Sequence, residues 1–241
     1  MRITELLKNK EQNRRINKAA TIVFIGDSVT QGCFECYTKN DSSIETIFDY
    51  RSAYSTRVGD ILHMLYPSAQ VNIINSGISG DSAVGGNERF ERDVLSYNPD
   101  LVVISFGLND CGAGKDGIFK YTTALEEMFS ALKERNIEAV FLTENTMCTR
   151  TSVHLKEDKF ISLSQGFAAR QNSGLLREYF VAAKKCCEKY DVKVCDLYSA
   201  WETMETAGVN TTELLANKLN HPTREMHYYM AMKIVETFFA N

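Results

Sequence analysis

The sequence is short of the features that would place it in several classes. Of its 241 residues only 3 are Pro and 1 is Trp, which excludes a proline-rich linker or low-complexity architecture. No segment approaches the ~20 consecutive apolar residues that a membrane-spanning helix needs. A basic excess is also missing: 27 Lys and Arg stand against 31 Asp and Glu, a net charge of −4. Binding to nucleic acid draws on a positive surface that displaces counterions, so neither nucleic acid nor a membrane is an expected partner. The first twenty residues, MRITELLKNKEQNRRINKAA, alternate charges with single apolar residues and lack the apolar core of a signal peptide. They are expected to form an N-terminal helical extension (1–20) ahead of a single domain (21–241). Seven cysteines, an odd number in a long chain, point to reduced thiols and a cytoplasmic location. Cys33 and Cys36 have CxxC spacing, but no second CxxC or His pair completes a tetrahedral site, so no metal is expected.

What is present is alternation. Thr21–Gly26, Val71–Asn75, Leu101–Phe106, Ala139–Thr143 and Val192–Asp196 are short runs with nearly continuous apolar residues, as in strands covered on both faces. Between them the spacing predicts helices over Ala53–Tyr66, Asn87–Tyr97, Ile118–Arg135, Gly174–Tyr190 and Arg224–Phe239. Repeated βα units imply a parallel sheet with right-handed crossovers, and so a three-layer α/β/α sandwich of about five strands. Two long connections, Gln31–Ser52 and Glu144–Asn172, are expected to hang as loops over the carboxyl ends of the strands, where sites form in such sheets.

Four short motifs fall at the turns. Gly26-Asp27-Ser28 follows the first strand, where a Ser hydroxyl can face a cleft or simply cap a helix. Ser79-Gly80-Asp81 follows the second strand; it lacks the spacing of a dinucleotide or phosphate loop, which leaves backbone donors or an ordinary glycine turn. Gly107-Leu108-Asn109-Asp110 follows the third and supplies a carboxamide suited to a negative oxygen, or a turn Asn at positive φ. His221-Pro222 precedes the last helix, where an imidazole can act as general base. Each is weak alone. Together they would gather nucleophile, oxyanion donors and base at one end of one sheet, as acyl transfer requires. Asp27, Asp81 and Asp110 fit better as loop braces than as bases, and the spacing of His221, Glu225 and His227 does not form a metal motif.

In this order the motifs resemble the SGNH hydrolases, the GDSL-type esterase/lipase family, from about Thr21 to the C-terminus. The resemblance implies a flavodoxin-like sandwich, with Ser28 as nucleophile and His221 as base. It also implies an oxyanion hole of the Ser28 and Gly80 N–H groups with the Asn109 side chain, and no metal or organic cofactor. One departure stands out. The family usually has Asp three residues before the catalytic His, and this chain has Lys218, which cannot orient an imidazole as a carboxylate does. A Ser28–His221 dyad is therefore expected, its ring held by a backbone carbonyl, by Asn217, or by a carboxylate such as Glu213.

The expected activity is a serine esterase on short acyl esters, including the deacetylation of carbohydrates, through an acyl-serine intermediate. An acyltransferase using the same serine, or a non-catalytic binding module lacking the orienting acid, are the alternatives. Phe34, Tyr37, Phe48 and Tyr50 on one long connection, and Met147, Arg150, His154 and Phe160 on the other, either line a substrate cleft or pack the loops.

Overall fold

The computed structural model describes residues 1–240. Helix α1 (Arg2–Gln12) leads into strand β1 (Ala20–Gly26), the one-turn helix α2 (Ser28–Gln31), strands β2 (Cys33–Thr38) and β3 (Ile44–Phe48), and helix α3 (Tyr54–Leu65). Strand β4 (Val71–Gly77), short helices α4 (Ala83–Glu88) and α5 (Phe90–Asp93), strand β5 (Leu101–Ser105) and helix α6 (Ile118–Glu134) follow. The chain closes with β6 (Glu138–Thr143), α7 (Asp158–Asn172), α8 (Leu175–Tyr190), β7 (Lys193–Asp196), α9 (Leu197–Thr206) and α10 (Arg224–Phe239).

Five strands form one parallel sheet in the order β4-β1-β5-β6-β7, the flavodoxin-like arrangement that the resemblance implies. Ile22, Val23, Phe24 and Ile25 of β1 and Leu101–Ile104 of β5 have no solvent exposure, because helices cover both faces of these central strands. Helices α1, α3 and α10 pack together as one layer, and α4, α6 and α8 as the other. Burying each large aliphatic side chain contributes about 1.5–3 kcal/mol, so the continuous apolar runs commit these segments to the middle of the sandwich. Helix α1 belongs to the same core through Ile3 and Leu7.

Three expectations need correction. The Gln31–Ser52 connection is not a bare loop, for β2 and β3 pair there as an antiparallel hairpin outside the main sheet. Its strands are half exposed, so they lack the continuous apolar run that marks the others. The Glu144–Asn172 connection ends in helix α7, whose few buried positions (Phe160, Ser164, Ala168, Gln171) include two polar residues that blur the helical stripe. The helix expected over Asn87–Tyr97 is broken into α4, α5 and a 3₁₀ turn at Leu95–Tyr97.

Candidate active site

Strands β1, β4 and β5 pair so that Gly26 lies beside Gly77 on one side and Ser105 on the other. The three turns carrying the motifs therefore leave the sheet side by side. Asp27 caps α2, its Oδ1 accepting from Val29 N at 2.9 Å, so Ser28 is the first helical residue and not the cap. Helix α2 lies directly on the end of β4. A Cβ at Gly77 would stand 2.3 Å from Gln31 N and 2.7 Å from the carbonyl carbon of Thr30. The next turn is pinned to the end of β1 by Ile78 N donating to Gly26 O (3.0 Å) and to α2 by Ser79 N donating to Gln31 Oε1 (2.6 Å). Gly80 then adopts φ +81°, a left-handed conformation that costs glycine little.

His221 meets Ser28 from the far end of the chain, 3.0 Å separating Nε2 from the serine Oγ. Its other nitrogen, Nδ1, lies 3.0 Å from the carbonyl oxygen of Phe34 on β2. A carbonyl only accepts, so Nδ1 carries the proton and Nε2 offers its lone pair to the serine hydroxyl. Among the three expected orienting groups, the backbone carbonyl is the one in contact. Asn217 shapes the loop instead: its Oδ1 accepts from the N–H groups of Leu219, Asn220 and His221, each at 3.0 Å. Glu213 turns to Lys218 (3.1 Å) and to Ser152 (2.6 Å). Ser28 is 3% exposed and His221 5%, so the pair is nearly buried. Burial disfavours the imidazolium and lowers the His221 pKa to about 4, the Phe34 carbonyl opposing that shift.

The expected oxyanion donors differ in availability. Neither the Ser28 N–H nor the Gly80 N–H donates to another group among the described residues. The Asn109 amide, by contrast, is already engaged: Nδ2 donates to Asp27 Oδ2 at 3.0 Å and to the Asp81 carbonyl at 2.9 Å. Asp81 and Asp110 brace loops as expected, accepting from Ser82 N (2.8 Å) and Ala83 N (2.9 Å).

Behind Asn109 lies a carboxyl pair that the sequence reading missed. Asp27 and Glu144 are both buried, and burial raises the pKa of each. Glu144 Oε2 accepts from Leu108 N at 2.8 Å, while Oε1 meets no ordinary donor. The arrangement closes if Glu144 holds a proton and gives it to Asp27, whose carboxylate then accepts from Val29, Asn109 and Glu144 together. Because the folded pKa is raised, stability present at lower pH is lost as pH rises through the folded value. Glu144→Gln keeps an acceptor for Leu108 and a donor for Asp27 and removes one titration. Its melting temperature is expected to fall less than that of the unsubstituted protein between about pH 6 and about pH 9. Equal falls would rule out a shared proton.

Of the other singled-out side chains, none hydrogen-bonds to Ser28 or His221. His63 is on α3, and exposed His154 stands 3.7 Å from Glu213. His227 is fully buried, its Nδ1 accepting from Tyr54 N at 3.0 Å, with burial lowering its pKa to about 3. Phe34, Met147 and Phe160 pack inward, whereas Tyr37, Phe48 and Tyr50 face solvent. All seven cysteines are free, and no group of three His, Cys, Asp or Glu among the described residues is placed to hold a metal ion. Glu144, charged and directly after an apolar strand, was the one missed residue with a visible signal. A main-chain carbonyl such as that of Phe34 leaves none.

The model of the GDSL-like Lipase/Acylhydrolase family matches residues 24–228. An acetylxylan esterase from Geobacillus stearothermophilus is 31% identical over 96 residues, 40% of this chain and 42% of that protein, so the match spans about two fifths of the relative. Among solved structures, a catalytic mutant of an acetylxylan esterase from the same organism superposes with TM-score 0.66 at 20% identity, covering 94% of this chain and 97% of that one. A two-domain esterase active on acetylated mannans, crystallised with mannopentaose, gives TM-score 0.69 at 17% identity over 98% of this chain and 52% of its own. The structural likenesses concern the fold. The family match covers most of the chain and includes Ser28, Gly80, Asn109 and His221, and by it this protein belongs to the GDSL-like Lipase/Acylhydrolase family.

Proposed function

We propose that the protein is a serine esterase that removes short acyl groups, acetyl above all, from carbohydrate esters. The observation that carries the reading is the Ser28 hydroxyl 3.0 Å from the acceptor nitrogen of His221. The hydroxyl attacks the ester carbonyl while Nε2 takes its proton, and the carbonyl oxygen becomes an oxyanion. The free N–H groups of Ser28 and Gly80 receive that charge. Asn109 joins them by exchanging its bond to the Asp81 carbonyl for one to the oxyanion. The imidazolium then protonates the departing sugar oxygen, leaving acyl-Ser28. Water then attacks the acyl carbonyl as the same nitrogen takes its proton, and that proton passes to Ser28 Oγ as its bond to the acyl carbon breaks and the acid leaves. The near-burial of Ser28 and His221 suits a small acyl group. The kinship with acetylxylan and acetylated-mannan esterases supports a sugar as the alcohol.

Within this reading the chain acts as one domain over residues 21–241, with residues 1–20 folded onto it as a helical extension. A cytoplasmic location is supported by seven unpaired thiols. No described helix is long and apolar enough to cross a membrane.

The test is acetate release from acetylated xylo- and manno-oligosaccharides, with a fluorophosphonate probe mapped to its site of attachment. Acetate release and labelling at Ser28 are expected; labelling elsewhere, or hydrolysis of long-chain esters only, would defeat the proposal. Activity needs neutral His221, so kcat/KM should rise with pH through about 4 and stay level towards neutrality. A limb near the ordinary histidine value would show that the ring is not held in this buried setting.

A further inference from the structure

The contact that orients His221 is made by a main-chain carbonyl, and such an atom is only as fixed as the strand that carries it. Strand β2 belongs to a two-stranded hairpin outside the main sheet, an arrangement that is marginal without outside support. The β2–β3 ladder is irregular between Cys33 and Cys36, the stretch that contains Phe34. Something other than strand pairing must hold this carbonyl in place.

Arg224 is placed to do so. It is the first residue of α10, three positions after His221. Its Nη1 and Nη2 donate to the two carboxylate oxygens of Glu35 on β2, at 2.6 and 3.2 Å. Its Nε donates to Asp49 Oδ2, just beyond β3, at 2.9 Å. The guanidinium carbon lies 4.3 Å from the centre of the Phe34 ring, within cation–π range. One planar, five-donor side chain thus grips both strands of the hairpin and the aromatic ring of the residue whose carbonyl meets Nδ1. Arg224 and His221 share one loop-to-helix junction, so the grip ties imidazole and carbonyl into one rigid body.

We propose that Arg224 is a positioning residue for His221, acting through Glu35, Asp49 and Phe34 in place of the missing orienting carboxylate. The proposal rests on the Ser28–His221 reading. The ion pairs are partly exposed, at 35% for Arg224, 42% for Glu35 and 29% for Asp49, so they add little to global stability. Their use is geometric.

Arg224→Ala should lower kcat for an acetyl ester about 10- to 100-fold with KM within about twofold, since Arg224 does not touch the acyl group. Its melting temperature should change by no more than about 3 °C. Arg224→Lys, which keeps the charge but not the fork, should fall between. Millimolar guanidinium should restore part of the lost kcat to the Ala variant. Nitrogen-15 NMR of the His221 ring should show an Nδ1–H tautomer in the unsubstituted protein and a mixture in Arg224→Ala. A kcat within twofold of the unsubstituted protein overturns the assignment, as does a lowered kcat with the His221 tautomer unchanged. If the unsubstituted protein hydrolyses no ester, the esterase reading fails by itself, while the tautomer measurement still decides whether Arg224 orients the ring.

Discussion

Ser28→Ala is expected to cut kcat on p-nitrophenyl acetate by roughly four or more orders of magnitude, the loss usual when an acyl-enzyme nucleophile is removed. The size follows from the mechanism. Without the hydroxyl no acyl-enzyme forms, and the remaining N–H donors can only polarise an ester for attack by water. The fold should hardly change. The Ser28 side chain makes one hydrogen bond, to His221 Nε2, and alanine fits the same helical position. The melting temperature is thus expected to stay within about 3 °C, since one lost neutral hydrogen bond is worth about 1 kcal/mol. Loss of activity with the fold retained would separate a catalytic serine from a structural one. A variant keeping more than a few per cent of kcat would end the esterase proposal.

The second large effect is expected far from any reacting atom. In Gly77→Ala the added methyl meets Gln31 N at 2.3 Å and the Thr30 carbonyl carbon at 2.7 Å, both backbone atoms of the turn that presents Ser28. No rotamer can relieve a backbone clash, so α2 must lift from the end of β4. Overpacking of this kind costs about 1–3 kcal/mol, a fall of roughly 3–10 °C in melting temperature for a chain of this size. A shift of α2 also moves Oγ away from Nε2, and a misplacement of about 1 Å is enough for a hundredfold loss in rate. The joint signature, lower stability with a disproportionate fall in kcat, is the prediction. A variant that melts with the unsubstituted protein and keeps its kcat would show that α2 tolerates displacement and that its seat on β4 does not set the geometry.

The sheet and the helices around it were legible because their signal is local and repeated. The runs at Thr21–Gly26 and Leu101–Phe106 are continuous because both faces of those strands are covered, and Ile118–Arg135 shows a stripe because one helical face meets the sheet. The hairpin at Cys33–Phe48 was not legible, since its strands are half exposed and their pairing answers to a turn rather than to a core. The site divides along the same line. Ser28, Gly80 and Asn109 announce themselves as side chains or a glycine in the turns after strands, and His221 as an imidazole beside Pro222 ahead of the last helix. Phe34 contributes a carbonyl that every residue possesses, and the partners of Arg224, Asp49 and Glu35, lie 175 and 189 positions away.

The amino-acid order alone therefore determined the layered architecture and the four motif residues, through apolar periodicity and the chemistry of particular side chains. Only the folded chain decided how the imidazole is oriented, which of the expected oxyanion donors are free, and which carboxyls are buried together. Those outcomes depend on burial and on contacts between residues far apart in the sequence, where main-chain atoms count as much as side chains.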